Sequence, residues 1–166
     1  MDLGITGKVA LITGGSRGLG RSAALALAKE GCKIAICARS PESLNETVGE
    51  LRRFGNDCIG IISDVTLDSE CQNAFEKTVT SLGVVDILVN NVGGTKGARD
   101  FDSATDSDWL DTITLNLMST VRMTRLVVPG MRERQWGRIV NVASIYGREF
   151  GGGPTYMASK AAVIAL

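Results

Sequence analysis

Five apolar runs, Val9–Thr13, Lys33–Ala38, Cys58–Ile62, Asp86–Asn90 and Gly137–Ala143, recur along the chain and alternate with amphipathic stretches of helical length. The runs are rich in β-branched residues, contain no proline and mostly lack strict in-and-out alternation, as strands covered on both faces do. Between them, the spacing of apolar positions predicts helices over Gly18–Glu30, Pro41–Phe54 and Asp68–Leu82, and a long helical region from Ser107 to Arg134 in two segments. Gly31 and Gly55 supply helix stops, and Ser40 before Pro41 supplies a start. Pro129 predicts a kink or a late boundary inside the long region. A last helix opens near Pro154 and is still running at Leu166, an apolar residue with no cap, so the chain reads as cut there. Strands and helices in regular alternation predict an α/β fold, a doubly wound parallel sheet in three α/β/α layers.

With 44% hydrophobic and 22% charged residues, the 166-residue chain has the material for one core, and residues 1–166 are read as one domain. Its 18 lysines and arginines balance 18 aspartates and glutamates, which argues against a nucleic-acid partner and against an acidic solvated tail. Cys32, Cys37, Cys58 and Cys71 form no C-x-x-C pair and the chain has no histidine, so reduced core thiols are expected and no metal site. Met1 to Lys8 lacks the features of a signal peptide, and no run reaches the ~18 apolar residues of a membrane span. A soluble, cytoplasmic protein with no membrane partner is the expectation.

The first strand is followed by Thr13-Gly14-Gly15-Ser16-Arg17-Gly18-Leu19-Gly20 and then by helix formers. In a strand, turn and helix context, glycines let the backbone approach a pyrophosphate, whose charge the helix N-terminal amides meet. This predicts a Rossmann-like dinucleotide site; the other reading is a tight glycine turn with no ligand. At the end of the second strand, an NAD site carries an acid for the ribose 2′-hydroxyl. Here the strand ends Cys37-Ala38-Arg39-Ser40. A guanidinium and a hydroxyl suit a 2′-phosphate, and Arg17 is placed to approach it from the other side. With the acid absent, the pair predicts NADP (NADPH) as cofactor.

Tyr156 and Lys160 lie at i and i+4 on one face of the last helix. A phenol of pKa about 10 is a poor proton donor at neutral pH, but an adjacent ammonium lowers that value. The preceding strand ends Asn141-Val142-Ala143-Ser144, at the carboxyl edge where open α/β sheets bind ligands. The Ser144 hydroxyl is placed there to polarise a substrate oxygen or, in the plainer reading, to cap a turn.

Together these residues resemble the short-chain dehydrogenase/reductase family over essentially the whole chain. Thr13-Gly14-x-x-x-Gly18-x-Gly20 resembles its cofactor turn, Asp64-Val65 its adenine contact, and Asn90-Asn91-Val92-Gly93 its fourth-strand motif, with valine where alanine is usual. Asn116, Ser144, Tyr156 and Lys160 match its four catalytic positions. The resemblance implies hydride transfer between a nicotinamide and a small-molecule carbonyl or secondary alcohol. Tyr156 would be the general acid or base, and Lys160 would bind the nicotinamide ribose and lower the tyrosine pKa. Ser144 would position the substrate oxygen, Asn116 would hold a water, and Asn90 and Gly93 would support the cofactor pocket. Without the resemblance, Asn116 reads as a buried amide satisfying helix backbone and Asp64 as a helix N-terminal acid.

Members of the family are usually longer, so five strands are expected here with the C-terminal strands missing, and the fifth strand as an exposed edge. The substrate stays open among 3-oxoacyl thioesters, sugars, steroids and small ketones. A dimer or tetramer is implied for the full-length protein, through the helices after the fourth and fifth strands. The alternatives are a non-catalytic nucleotide- or partner-binding module and an inactive fragment of such an enzyme.

Overall fold

The computed structural model describes residues 2–166. Strand β1 (Val9–Thr13) leads into helix α1 (Gly18–Lys29), β2 (Lys33–Ala38) into α2 (Pro41–Leu51), and β3 (Cys58–Ile62) into α3 (Asp68–Leu82). Strand β4 (Ile87–Asn90) is followed by α4 (Asp106–Ile113), a π-helical turn (Thr114–Met118) and α5 (Ser119–Glu133). Strand β5 (Arg138–Asn141) leads through a 3-10 turn (Ile145–Gly147) to α6 (Pro154–Ala165). All pairings are parallel, in the order β3-β2-β1-β4-β5. The order reverses between β1 and β4, and the crevice at their carboxyl ends is where such sheets bind ligands.

The continuous apolar runs are explained by two cores. On one face, Leu11, Ala35 and Leu88 pack against Cys71 and Ala74 of α3 and Met123 and Val127 of α5. On the other, Ala10, Ile12, Ile34, Ile36 and Val89 pack against Ala24 and Ala28 of α1 and Leu44 and Val48 of α2. Successive strand residues alternate between the cores, so the central strands are apolar on both faces except at end positions such as Thr13, Lys33 and Asn90. Ile36 is fully buried, and Ile36→Ala is expected to cost about 2–5 kcal/mol through lost burial and the cavity left behind. The loss is read as a lower urea midpoint at unchanged m-value.

The long region from 106 to 133 is one continuous helical run with a π-turn between two α-helices, starting one residue before the expected Ser107. Pro129 does not end it. Pro129 and Arg125, the residue whose carbonyl loses its helical donor, are both exposed, so water can replace the missing bond. The expected ends of α1, α2, β4 and β5 move inward. Glu30 caps α1, and Arg52–Phe54 forms a 3-10 turn that Gly55 closes at φ 78. Asp86, Val142 and Ala143 fall outside their strands, although the Asp86 amide still donates to Val9 and that of Val142 to Asn90. Strand β5 is largely exposed at the sheet edge.

All four cysteines are free. Burial pushes the Cys37 thiol up to about 12 and that of Cys71 to about 11, so both are protonated, unreactive core groups near neutral pH. No helix among the described residues is long and apolar enough to cross a membrane.

Candidate functional site

A cleft of about 480 Å³ opens at the carboxyl edge of the sheet, over the β1/β4 switch point. Its floor is the glycine turn. Gly14 has φ +63, a backbone conformation that a side chain would strain, and a Cβ on Gly20 would run into the Gly14 carbonyl. The turn therefore needs glycine at both positions to fold back on α1.

Asn91 holds this turn to β4. Its Nδ2 donates to the carbonyls of Thr13 and Gly14 at 3.0 and 3.1 Å, while the Thr13 hydroxyl accepts from the amides of Asn91 and Val92 and donates to the Val89 carbonyl. Asn91 was visible in the sequence only as a member of the Asn-Asn-Val-Gly run, and its side-chain role depends on partners more than 70 positions away.

The first turn of α1 has neither a side-chain cap nor an acid. Its amides are thus open to an anion. Of the residues expected at the cofactor site, Gly14, Ser16, Arg17 and Leu19 line the glycine-turn part of the cleft. Arg39, Ser40, Asp64 and Val65 line the part beyond the ends of β2 and β3, and Val92, Gly93, Tyr156 and Lys160 the far end. Thr13, Gly18, Gly20 and Asn90 do not line it. Thr13 and Gly20 shape the turn from behind, and Asn90 is buried, donating from Nδ2 to Thr124 and to Asn141. Ser43, Ser63 and Leu115 also line the cleft and carried no motif in the sequence.

At the Arg39 end, the guanidinium lies 4.0 Å from the Asp64 carboxylate and is mostly exposed. Burial opposes ionisation of Asp64. The amide and hydroxyl of Thr66, with the charges of Arg39 and Lys96, outweigh it and hold the carboxyl below its usual range. Asp64 closes a turn onto Thr66 and does not cap α3, which begins at Asp68. Ser40 donates its hydroxyl to Glu42 at 3.0 Å.

At the other end, the Lys160 ammonium is buried, donates to the Val142 carbonyl at 2.7 Å and lies 5.9 Å from the centre of the Tyr156 ring. Desolvation pushes its pKa down. Ser144 accepts the Tyr146 amide and so caps the 3-10 turn, which leaves its own proton free to be donated. It opens on a second recess with Ala143, Ile145 and Arg148.

Asn116, expected to hold a water, has its side chain engaged with backbone. Both Nδ2 protons are used, on the carbonyls of Gly94 and Thr112, and Oδ1 accepts the Gly94 amide. This is the buried amide satisfying backbone, in a π-turn of the kind that often marks a functional site. Asn116 is nevertheless next to Lys160: a Cβ on Gly93 would lie 2.8 Å from both Asn116 Oδ1 and Lys160 Nζ.

An uncapped helix N-terminus, a turn that admits only glycine, arginines in the glycine-turn part and beyond β2, and a tyrosine and lysine at the far end fit a dinucleotide.

The short chain dehydrogenase family model matches residues 8–166. The 7α-hydroxysteroid dehydrogenase of Bacteroides fragilis is 38% identical over 162 residues, 96% of this chain and 62% of that protein. L-Sorbose reductase of Gluconobacter frateurii, solved with NADPH and L-sorbose, superposes with a TM-score of 0.94 at 38% identity, covering 99% of this chain and 63% of that one. An NAD+-bound xylitol dehydrogenase superposes at 0.91 with 30% identity, covering 97% and 62%. The chain thus spans somewhat over three fifths of the length of these relatives.

Proposed function

The chain belongs to the short-chain dehydrogenase family, and from that premise we propose that it binds NADP(H) and carries the catalytic residues of a carbonyl reductase or alcohol dehydrogenase. One observation carries the reading: Arg17, Arg39 and Ser40 line the same cleft that Tyr156 and Lys160 line at its far end. The cationic end suits a 2′-phosphate and the phenol end suits a reacting carbonyl.

The amides opening α1 would hold the pyrophosphate, and Gly14 would let the backbone approach it. Arg17 and Arg39 would grip the 2′-phosphate through guanidinium forks. When bound, the nicotinamide supplies or accepts the hydride. In the direction of reduction the Tyr156 hydroxyl passes its proton to the carbonyl oxygen, and in oxidation its phenolate takes the proton back. The Lys160 ammonium, held by the Val142 carbonyl, would bind the nicotinamide ribose. Ser144, with its own proton free, donates to the substrate oxygen as charge builds there.

Relatives acting on a steroid and on sugars support a small-molecule carbonyl or alcohol as substrate. Titrating the chain with NADPH and with NADH tests the cofactor reading. NADPH is expected to bind at least tenfold more tightly, about the worth of one charge-assisted contact; tighter binding of NADH overturns it.

A further inference from the structure

Residues 94–98, which follow the cleft wall at Gly93, run back along α4 held by three polar side chains spaced four apart. Asn116 takes both the amide and the carbonyl of Gly94, at 2.9 and 2.8 Å. The Thr112 hydroxyl accepts the Lys96 amide at 3.1 Å and donates to the Lys96 carbonyl at 3.3 Å. The Asp108 carboxylate lies against Gly97, whose φ is +66 and where a Cβ would overlap it, and next to the Ala98 amide. The same carboxylate accepts the amide and hydroxyl of Thr105 in the capping box that starts α4.

The spacing has a physical basis. Four helical residues rise about 6 Å, and two extended residues advance about 6.6 Å. Side chains at 108, 112 and 116 therefore meet every second residue of a strap running the opposite way, at 98, 96 and 94. Thr112 and Asn116 are fully buried, and each both donates to and accepts from the strap backbone.

We propose that Asp108, Thr112 and Asn116 form a polar ladder that clamps the strap Gly94–Ala98 and thereby fixes Gly93 against Lys160, with Thr112 a positioning residue for the Tyr156–Lys160 end of the cleft. The proposal rests on the reading of that cleft as an NADP(H) site. Thr112 does not line the cleft, so its influence passes through the strap.

Thr112→Val keeps the shape of the side chain and removes only the hydroxyl, while Thr112→Ser keeps the hydroxyl. In Thr112→Val, amide exchange at Gly94 and Lys96 is expected to accelerate roughly tenfold without added nucleotide, with a thermal midpoint close to the parent's because exposed Lys96 can turn to water. NADPH affinity should fall roughly fivefold, whereas affinity for 2′,5′-ADP, which reaches only the Arg17 and Arg39 end, stays unchanged. Thr112→Ser should restore parental values of both exchange and NADPH affinity.

Unchanged exchange in Thr112→Val overturns the ladder, and so does unchanged NADPH affinity. An equal loss for NADPH and 2′,5′-ADP overturns the positioning role in favour of general loosening. A parent chain that binds neither nucleotide overturns the cofactor reading instead, with amide exchange still deciding whether the ladder holds the strap.

Discussion

Tyr156→Phe is expected to lower turnover by roughly 10²- to 10⁴-fold, the usual worth of a positioned proton donor, while NADPH affinity stays within about twofold. The substitution deletes one oxygen from a half-buried side chain and keeps the ring against which Lys160 is set. Lys160 is held by the Val142 carbonyl and does not rely on the phenol for its place. The measurement is steady-state oxidation of NADPH with a panel of ketones, sugars and steroids, alongside an NADPH titration of both proteins. Turnover retained by Tyr156→Phe would falsify the assignment of the proton-transfer role. Lost turnover together with lost NADPH binding would place Tyr156 in cofactor binding alone.

The second large effect concerns the opposite end of the cleft. Arg39→Ala should weaken NADPH binding about tenfold and leave NADH within about twofold, because only NADPH carries the dianionic group that the guanidinium would face under the proposed reading. The lower end of the range for charge-assisted contacts applies, since Arg39 is 62% exposed and already shares its charge with Asp64 at 4.0 Å. Removing Arg17 as well should bring the loss towards a hundredfold if the two contacts add. Both losses should shrink as ionic strength rises, since the site is open to screening ions. Equal weakening of NADPH and NADH by Arg39→Ala would mean that the residue supports the fold of the β2 end and does not read the phosphate.

Much of the fold is legible along the chain because its causes are local. Burial on both faces makes β1 and β2 largely continuous apolar runs, and the bounds of β1, β2 and β3 can be read from the residues directly. Glycines at the first turn and at helix stops mark backbone shapes that side chains resist. Signals were weaker where a neighbour decides. Asp86 reads as strand from its apolar followers, yet it bonds beyond the regular ladder, with its carboxylate turned to the Val9 amide and to Lys8 and Arg134. Pro129 reads as a kink or a late boundary, and its exposed position on α5 makes the missing hydrogen bond tolerable.

The chemistry divides in the same way. Tyr156 and Lys160 are four residues apart on one helix, so their partnership follows from helical geometry alone, and Arg39 follows from its place after a strand. Asn91 clasping the glycine turn, Asn116 spending its amide on Gly94, and Thr112 holding Lys96 join residues 16 to 78 positions apart. Such contacts leave no period in the sequence, because they exist only after the sheet has brought β4 beside β1 and laid the following strap along α4. Residue types and local spacing therefore named the two ends of the cleft, whereas the packing of distant segments decided how its wall is held.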